Sequence, residues 1–300
     1  MTNPKLFPET YSSLPFKEIV ISHVPATSPT TTEVILLILN RPKRFNVVTE
    51  SMLEEIITAY RYFDADDRVK AIVITGAGPS FCVGADLEVG FSKLVKNLKQ
   101  DPSSVETYRD GGGRVTLAIH NCRKPTVVAI NGPAVGFGIT MTLPATIRVA
   151  YAKSKISFAF ARRGLSMEAC MSTGATHAAS DPLLNQLFSE VLATPEATVS
   201  RALEIAKEIA THSSIVSTTV MHDLMYRGPP TPEEAHLLDS KIFLGMLLSK
   251  DSEEGIKSFS QKRRPEFKGT MEQDSPTGWP WWKAIDTSPQ AKQIEKRKET

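Results

Sequence analysis

Residues Val34-Ile-Leu-Leu-Ile-Leu39 form the first clear pattern in the chain, an unbroken apolar run between polar neighbours. A run of that length predicts a strand covered on both faces. After the turn-like Asn40-Arg41-Pro42, the segment Ser51-Met-Leu-Glu54 has the spacing of a capping box. Leu53, Ile56, Ile57, Tyr60 and Phe63 then recur at helical spacing. Ala71-Ile-Val-Ile-Thr75 is a second buried strand, ending in Gly76-Ala-Gly-Pro79. Strand, helix and strand in this order predict a right-handed βαβ unit. Further on, the pattern predicts a helix over 113–121, a strand over 126–130, an apolar helix over 139–143 and short strands over 147–150 and 155–158.

Beyond residue 195 the character changes. Pro195-Glu196 opens a helix through His212, Thr231-Pro-Glu-Glu234 opens a second, and Ser252-Glu-Glu254 a third that ends near Arg264. The chain therefore divides into a flexible N-terminus (1–15), an α/β core (16–194), a helical region (195–264) and a loose tail (265–300). The tail carries Trp279-Pro-Trp-Trp282 and a charged run over 292–298.

Composition narrows the function classes. Lys and Arg number 35 against 33 Asp and Glu, a net charge of +2, with 41% hydrophobic residues. That balance suits a globular protein and gives no electrostatic footprint for nucleic acid. Three scattered cysteines, Cys82, Cys122 and Cys170, fit neither a disulfide framework nor a CxxC metal site. The histidines are dispersed without ligand spacing, so no metal is expected. Residues 126–147 lack charge but hold glycines, prolines and threonines, which read as buried strand, loop and helix rather than a membrane span.

Three glycine-bearing turns follow buried strands. Gly76-Ala-Gly-Pro-Ser-Phe81 has Phe81 where a dinucleotide fingerprint needs a third small residue, so it reads as strand-end punctuation. Val83-Gly84-Ala85-Asp86 and Ala134-Val135-Gly136-Phe137-Gly138 come as a pair, each ahead of a helical stretch. Loops at the carboxyl ends of parallel strands are where α/β proteins bind ligands. Free N–H groups at helix starts suit a developing oxyanion, and glycine beside a donor allows close approach.

Ile74-Thr-Gly-Ala-Gly-Pro-Ser-Phe-Cys-Val-Gly-Ala-Asp-Leu87 and Pro125-Thr-Val-Val-Ala-Ile-Asn-Gly-Pro-Ala-Val-Gly-Phe-Gly138, in this order, resemble the crotonase (enoyl-CoA hydratase/isomerase) superfamily. The resemblance runs from Val34 to Arg264 and includes Arg41-Pro-Lys-Arg-Phe-Asn46 and Glu254-Gly-Ile-Lys-Ser-Phe-Ser-Gln-Lys-Arg263. It lies nearest to fungal members of the Δ3,Δ2-enoyl-CoA isomerase branch. It implies a ββα spiral core with a helical C-terminal region, and an acyl-CoA enzyme that stabilises a thioester enolate. Fatty-acid oxidation or secondary-metabolite (toxin) biosynthesis is the implied setting. No cofactor is implied, since coenzyme A is part of the substrate. The resemblance also implies a homotrimer or hexamer and no membrane or nucleic-acid partner. A peroxisomal location is implied, although Lys298-Glu299-Thr300 is not a Ser-Lys-Leu-type import signal.

By the same resemblance, the N–H groups of Ala85 and Phe137 would bind the thioester oxygen. Gly84, Asp86 and Gly136 would shape that site. Arg41, Lys43, Arg44 and Lys262 would hold the CoA phosphates, for which basic side chains are suited. Family hydratases use two glutamates, and counting along the motifs puts them at Thr140 and near Phe160, where neither residue can carry a proton. Family isomerases use one glutamate shortly after a Gly-Leu pair, and Arg163-Gly-Leu-Ser-Met-Glu168 makes Glu168 the base. Apolar Leu165, Met167 and Ala169 would raise its pKa. The sequence departs from the family next to it, with a deletion near 170–173. Glu168 reaches Thr173-Gly174 with about eighteen residues fewer than the family pattern, ~27 Å if helical. The alternative implied by this gap is a non-catalytic crotonase-fold protein that binds acyl-CoA or a partner.

Overall fold

The computed structural model describes residues 7–86, 95–96, 98–101, 107–160, 164, 176–182 and 184–287. A six-stranded sheet is ordered β1-β2-β3-β4-β6-β9, from β1 (Ile19–His23), β2 (Val34–Leu39), β3 (Ala71–Gly76), β4 (Thr126–Ile130), β6 (Ile147–Tyr151) and β9 (Glu190–Leu192). Only β1 runs antiparallel to its neighbour. A smaller sheet joins β5 (Ala134–Val135), β7 (Lys155–Ser157) and β8 (Thr176–Ala178).

The continuous apolar strands follow from cover on both faces. Ile72, Ile74, Val128 and Ile130 face helix α1 (Glu50–Ala65) and helix α2 (Gly111–Asn121) in the main core. The alternate residues Ala71, Val73, Val127 and Ala129 pack under α4 (Pro195–His212), through Ala202, Ile205, Ala206 and Ala210. Small residues there let the helix lie close to the sheet. The short helix α3 (Phe137–Thr140) follows β5. The helical region continues as α5 (Ile215–Arg227), α6 (Pro232–Leu247), α7 (Lys250–Ser260) and α8 (Met271–Asp274). Among the described residues, no helix is long and apolar enough to cross a membrane.

Several boundaries differ from the sequence reading. Helix α1 is capped by Thr49, whose hydroxyl accepts from the Met52 N–H at 3.1 Å, so the box at Ser51 lies inside the helix. Helix α3 is shorter than expected: turns continue it to Ala145, where the half-buried Arg148 gathers the carbonyls of Thr142, Leu143 and Ala145 at 2.9–3.1 Å. Ser249, not Ser252, caps α7. Neither terminus is loose where it is described. Tyr11 is 1% exposed and donates to Asp66 at 2.7 Å. In the segment expected as tail, Trp279 donates to buried Asp223 at 2.9 Å, and Trp281 donates to the Arg227 carbonyl at 2.9 Å. The Arg227 guanidinium lies 4.3 Å above the Trp282 ring. Indole rings with a hydrogen-bond partner are strong anchors, which is why this stretch docks.

Candidate active site

Three loops leave the carboxyl ends of β2, β3 and β4, and buried carboxamides hold them. Asn46, fully buried with φ 55°, donates to the carbonyls of Ala77, Ser80 and Phe81 at 2.9, 2.8 and 3.1 Å. Its own oxygen accepts from the Arg41 N–H at 2.8 Å. Asn131 donates to the Gly76 and Gly78 carbonyls at 2.7 and 3.3 Å and accepts from the Gly76 N–H and the Thr75 hydroxyl, both at 3.2 Å.

Past these asparagines, the loops carrying Ala85 and Phe137 run side by side. Cys82 pairs with Ala134: its N–H donates to the Pro133 carbonyl at 3.1 Å and its carbonyl accepts from the Val135 N–H at 2.9 Å. Glycine is required at the contacts. A Cβ on Gly138 would stand 2.0 Å from the Cys82 carbonyl oxygen, and one on Gly132 would stand 2.3 Å from that of Pro79. Gly84 has φ 95°, and a Cβ there would lie 2.8 Å from the Val135 oxygen and 3.9 Å from the Phe137 nitrogen. The two motifs, far apart in sequence, thus meet at atomic contact.

Pairing also sets which way Ala85 faces. The Gly84 carbonyl and the Asp86 N–H both bond to Val48, at 2.8 and 3.0 Å. In a strand the next residue's N–H and C=O turn to the opposite side, so the Ala85 N–H faces away from Val48. Phe137 is the first residue of α3, where an N–H has no partner within its own helix. Among the described residues, neither N–H meets an acceptor.

The basic residues divide. Arg41 is engaged by Glu18 at 3.2 Å, the Val47 carbonyl at 2.8 Å and Asp86 at 3.9 Å, so it braces the loops instead of standing ready for a phosphate. Arg44, 54% exposed, reaches the buried Asp86 carboxylate at 3.6 Å, and Lys43 beside it is exposed. Lys262 is not brought to them within one chain. Its neighbour Arg264 contacts Glu33 at 3.5 Å, just before β2 begins, whereas Arg41 follows the other end of that strand. Glu168 lies outside the described residues. Thr140 is fully buried and its hydroxyl contacts the Phe137 carbonyl at 3.4 Å. The Phe160 ring comes within 4.0 Å of where a Gly136 Cβ would stand. Cys82, between the loops, is no nucleophile, because burial pushes its thiol up to about 12. No group of metal-ligating side chains occurs among the described residues.

A family model described as enoyl-CoA hydratase/isomerase matches residues 30–179. Enoyl-CoA hydratase AFT3-1 of Alternaria alternata is 44% identical over 262 residues, which are 82% of this chain and 86% of that protein. This chain belongs to the enoyl-CoA hydratase/isomerase family. The mitochondrial enoyl-CoA hydratase of Pongo abelii is 27% identical over 253 residues, 78% of this chain and 83% of its own. The crystal structure of an enoyl-CoA hydratase from Polaromonas sp. JS666 superposes with a TM-score of 0.70, covering 81% of this chain and 99% of that one. At 21% identity that likeness is one of fold. Family and α/β fold, both expected from the paired motifs, are thereby established. The structure adds Asn46, Asn131 and Arg148, which sequence reasoning did not assign. The one hint the sequence holds is the position of Asn131 directly after the apolar run of β4.

Proposed function

We propose that this member of the family isomerises 3-enoyl-CoA to 2-enoyl-CoA through a thioester dienolate. The Ala85 and Phe137 N–H groups bind the carbonyl oxygen as charge develops on it. Glu168 takes a proton from C2 and returns it to C4, so the double bond moves from C3=C4 to C2=C3 with no net gain or loss. Two donors raise the acidity of the C2 proton because they bind the enolate oxygen more strongly than the ground-state carbonyl. Each donor of this kind contributes about 3 kcal/mol.

The observation that carries this reading is the meeting of the two glycine loops with both N–H groups unclaimed among the described residues. Isomerisation is favoured over hydration because Thr140 is buried against its own helix and Phe160 is apolar, so neither activates water. Hydration is the second reading, supported by the relatives that are named enoyl-CoA hydratases. Exposed Leu237, Phe243, Leu244 and Phe259 on α6 and α7 support a further proposal, self-association as a trimer or hexamer. A cavity of about 810 Å³ lies between α5, α6 and α7, with Phe243 in its lining.

Wild type and Glu168→Gln are to be compared on 3-enoyl-CoA and 2-enoyl-CoA, with products separated by chromatography. Isomerisation that the substitution abolishes is the expected result. A 3-hydroxyacyl-CoA product supports hydration instead, and CoA binding without turnover in the wild type supports a non-catalytic binder.

A further inference from the structure

We propose that Asn131 is a positioning residue that sets the distance between the two oxyanion donors, an inference that rests on the acyl-CoA reading above. Its side chain bridges the two chains that carry the donors, beside the Thr75 hydroxyl, which donates to the Ala129 carbonyl at 3.0 Å. Asn131 starts the loop that leads to Phe137, yet all its polar partners belong to β3 and the turn leading to Ala85. The carboxamide uses both ends: its oxygen takes the Gly76 N–H and the Thr75 hydroxyl, and its nitrogen gives to Gly76 and Gly78. Paired acceptor and donor on one planar group imitate a peptide unit. Asn131 therefore works as a cross-strand link inserted where β3 and β4 diverge and backbone pairing stops at Ile74–Val128.

Backbone pairing resumes only at Cys82 and Ala134. Between these two points the β3 loop makes its Gly-Ala-Gly-Pro turn, in which Gly78 has φ 72°. Asn46 grips the same turn from the other side, but its partners are all in the β3 loop and at Arg41. Among the described residues, Thr75 links the end of β3 to Ala129, and past it Asn131 is the side chain that couples the turn itself to the chain bearing Phe137. Asn131 is buried, and its amide meets the Gly76 carbonyl away from water, while the Gly78 carbonyl lies on an exposed turn. Loss of the amide leaves the buried Gly76 carbonyl unsatisfied and lets the two loops separate by tenths of an ångström at the donors. Donor geometry matters more for an enolate oxygen than for ground-state binding, so the effect falls on kcat rather than KM.

Two variants test this. Asn131→Ala removes the link, and Asn131→Asp keeps the acceptor but sets an oxygen against the Gly76 and Gly78 carbonyls. Hydrogen exchange of the free protein reads the brace itself. Infrared difference spectra of bound butanoyl-CoA, labelled with ¹³C at the thioester carbon, read donor geometry through the carbonyl stretch. In both variants, peptides covering 76–86 and 131–137 are expected to lose protection together. The carbonyl shift seen on the wild type is expected to shrink by half or more. The kcat is expected to fall at least tenfold, while the butanoyl-CoA Kd changes less than threefold. Unchanged protection of either loop overturns the brace, whatever the activity. Lost protection with an unaltered carbonyl shift also overturns the proposal, because the link is then structural only. A wild-type protein that leaves the carbonyl stretch where it is in water overturns the acyl-CoA reading, whereas the exchange data judge the link between the loops separately.

Discussion

Gly138→Ala is the most direct perturbation of the paired loops. The added methyl would stand 2.0 Å from the Cys82 carbonyl oxygen and 2.8 Å from its carbon. Carbon and carbonyl oxygen normally stay about 3.3 Å apart. The loops must therefore open by about 1.3 Å, and both neighbours are backbone, so no side chain can swing aside. That displacement breaks the 2.9 Å bond from Val135 to Cys82. Overpacking of this kind costs about 1–3 kcal/mol, which lowers Tm by roughly 2–5 °C in a chain of this size. A shift near 1 Å in catalytic geometry costs on the order of a hundredfold in rate. Steady-state isomerisation of 3-enoyl-CoA and calorimetric melting measure the two effects separately. Gly245→Ala in α6 is the control, because its nearest neighbour would be Pro276 at an ordinary 3.7 Å. There the methyl is expected to add about 0.5–1 kcal/mol of stability and leave turnover alone. If Gly138→Ala melts early but turns over substrate at the wild-type rate, the spacing of the two donors is not what drives the reaction.

Two further predictions concern stability. His120 packs between the rings of His222 and Tyr226, at 5.3 and 5.1 Å. Burial lowers its pKa, the positive charges of His222 and Arg227 add to that, and Asp223 opposes it. A histidine harder to protonate when folded contributes stability that is lost as pH falls from its unfolded value, about 6.5, toward the lowered folded one. Urea unfolding between pH 8 and 5 is expected to show falling stability, with a shallower fall in His120→Gln. The remainder comes from His23, which burial lowers too; superimposable profiles for the two proteins would refute the assignment. Trp279→Phe removes the 2.9 Å bond to Asp223 and is expected to cost about 1.5–3 kcal/mol, the range for a hydrogen bond to a charged group. A loss below about 0.5 kcal/mol in urea melts would mean that Arg227, 3.4 Å away, satisfies Asp223 by itself.

The central strands were legible because their burial needs apolar side chains on both faces, which leaves an unbroken run in the sequence. Edge strand β1 was not, because only Ile19, Ile21 and His23 turn inward and one of the three is polar. Helix α5 escaped for a related reason: its buried face includes Thr219 and Asp223, whose partners lie elsewhere in the chain, so apolar spacing misses it. At the site, the glycine loops were readable because positive φ and tight contact demand glycine, as at Gly84 and Gly136. The carboxamide links were not. Their partners are backbone atoms more than fifty residues away in the case of Asn131, and backbone atoms leave no trace in residue identity. The ion pairs of Arg41 were not legible either, because a sequence shows a charge but not that Glu18 and Asp86 stand beside it.

All three tryptophans of the chain fall within four positions, 279 to 282, and the first two donate to α5. Intrinsic fluorescence of this protein is therefore a local probe. Its emission follows release of the C-terminal strap from one helix, while far-ultraviolet dichroism follows the sheet. Melting curves from the two signals that part company would locate the first step of unfolding without any added label.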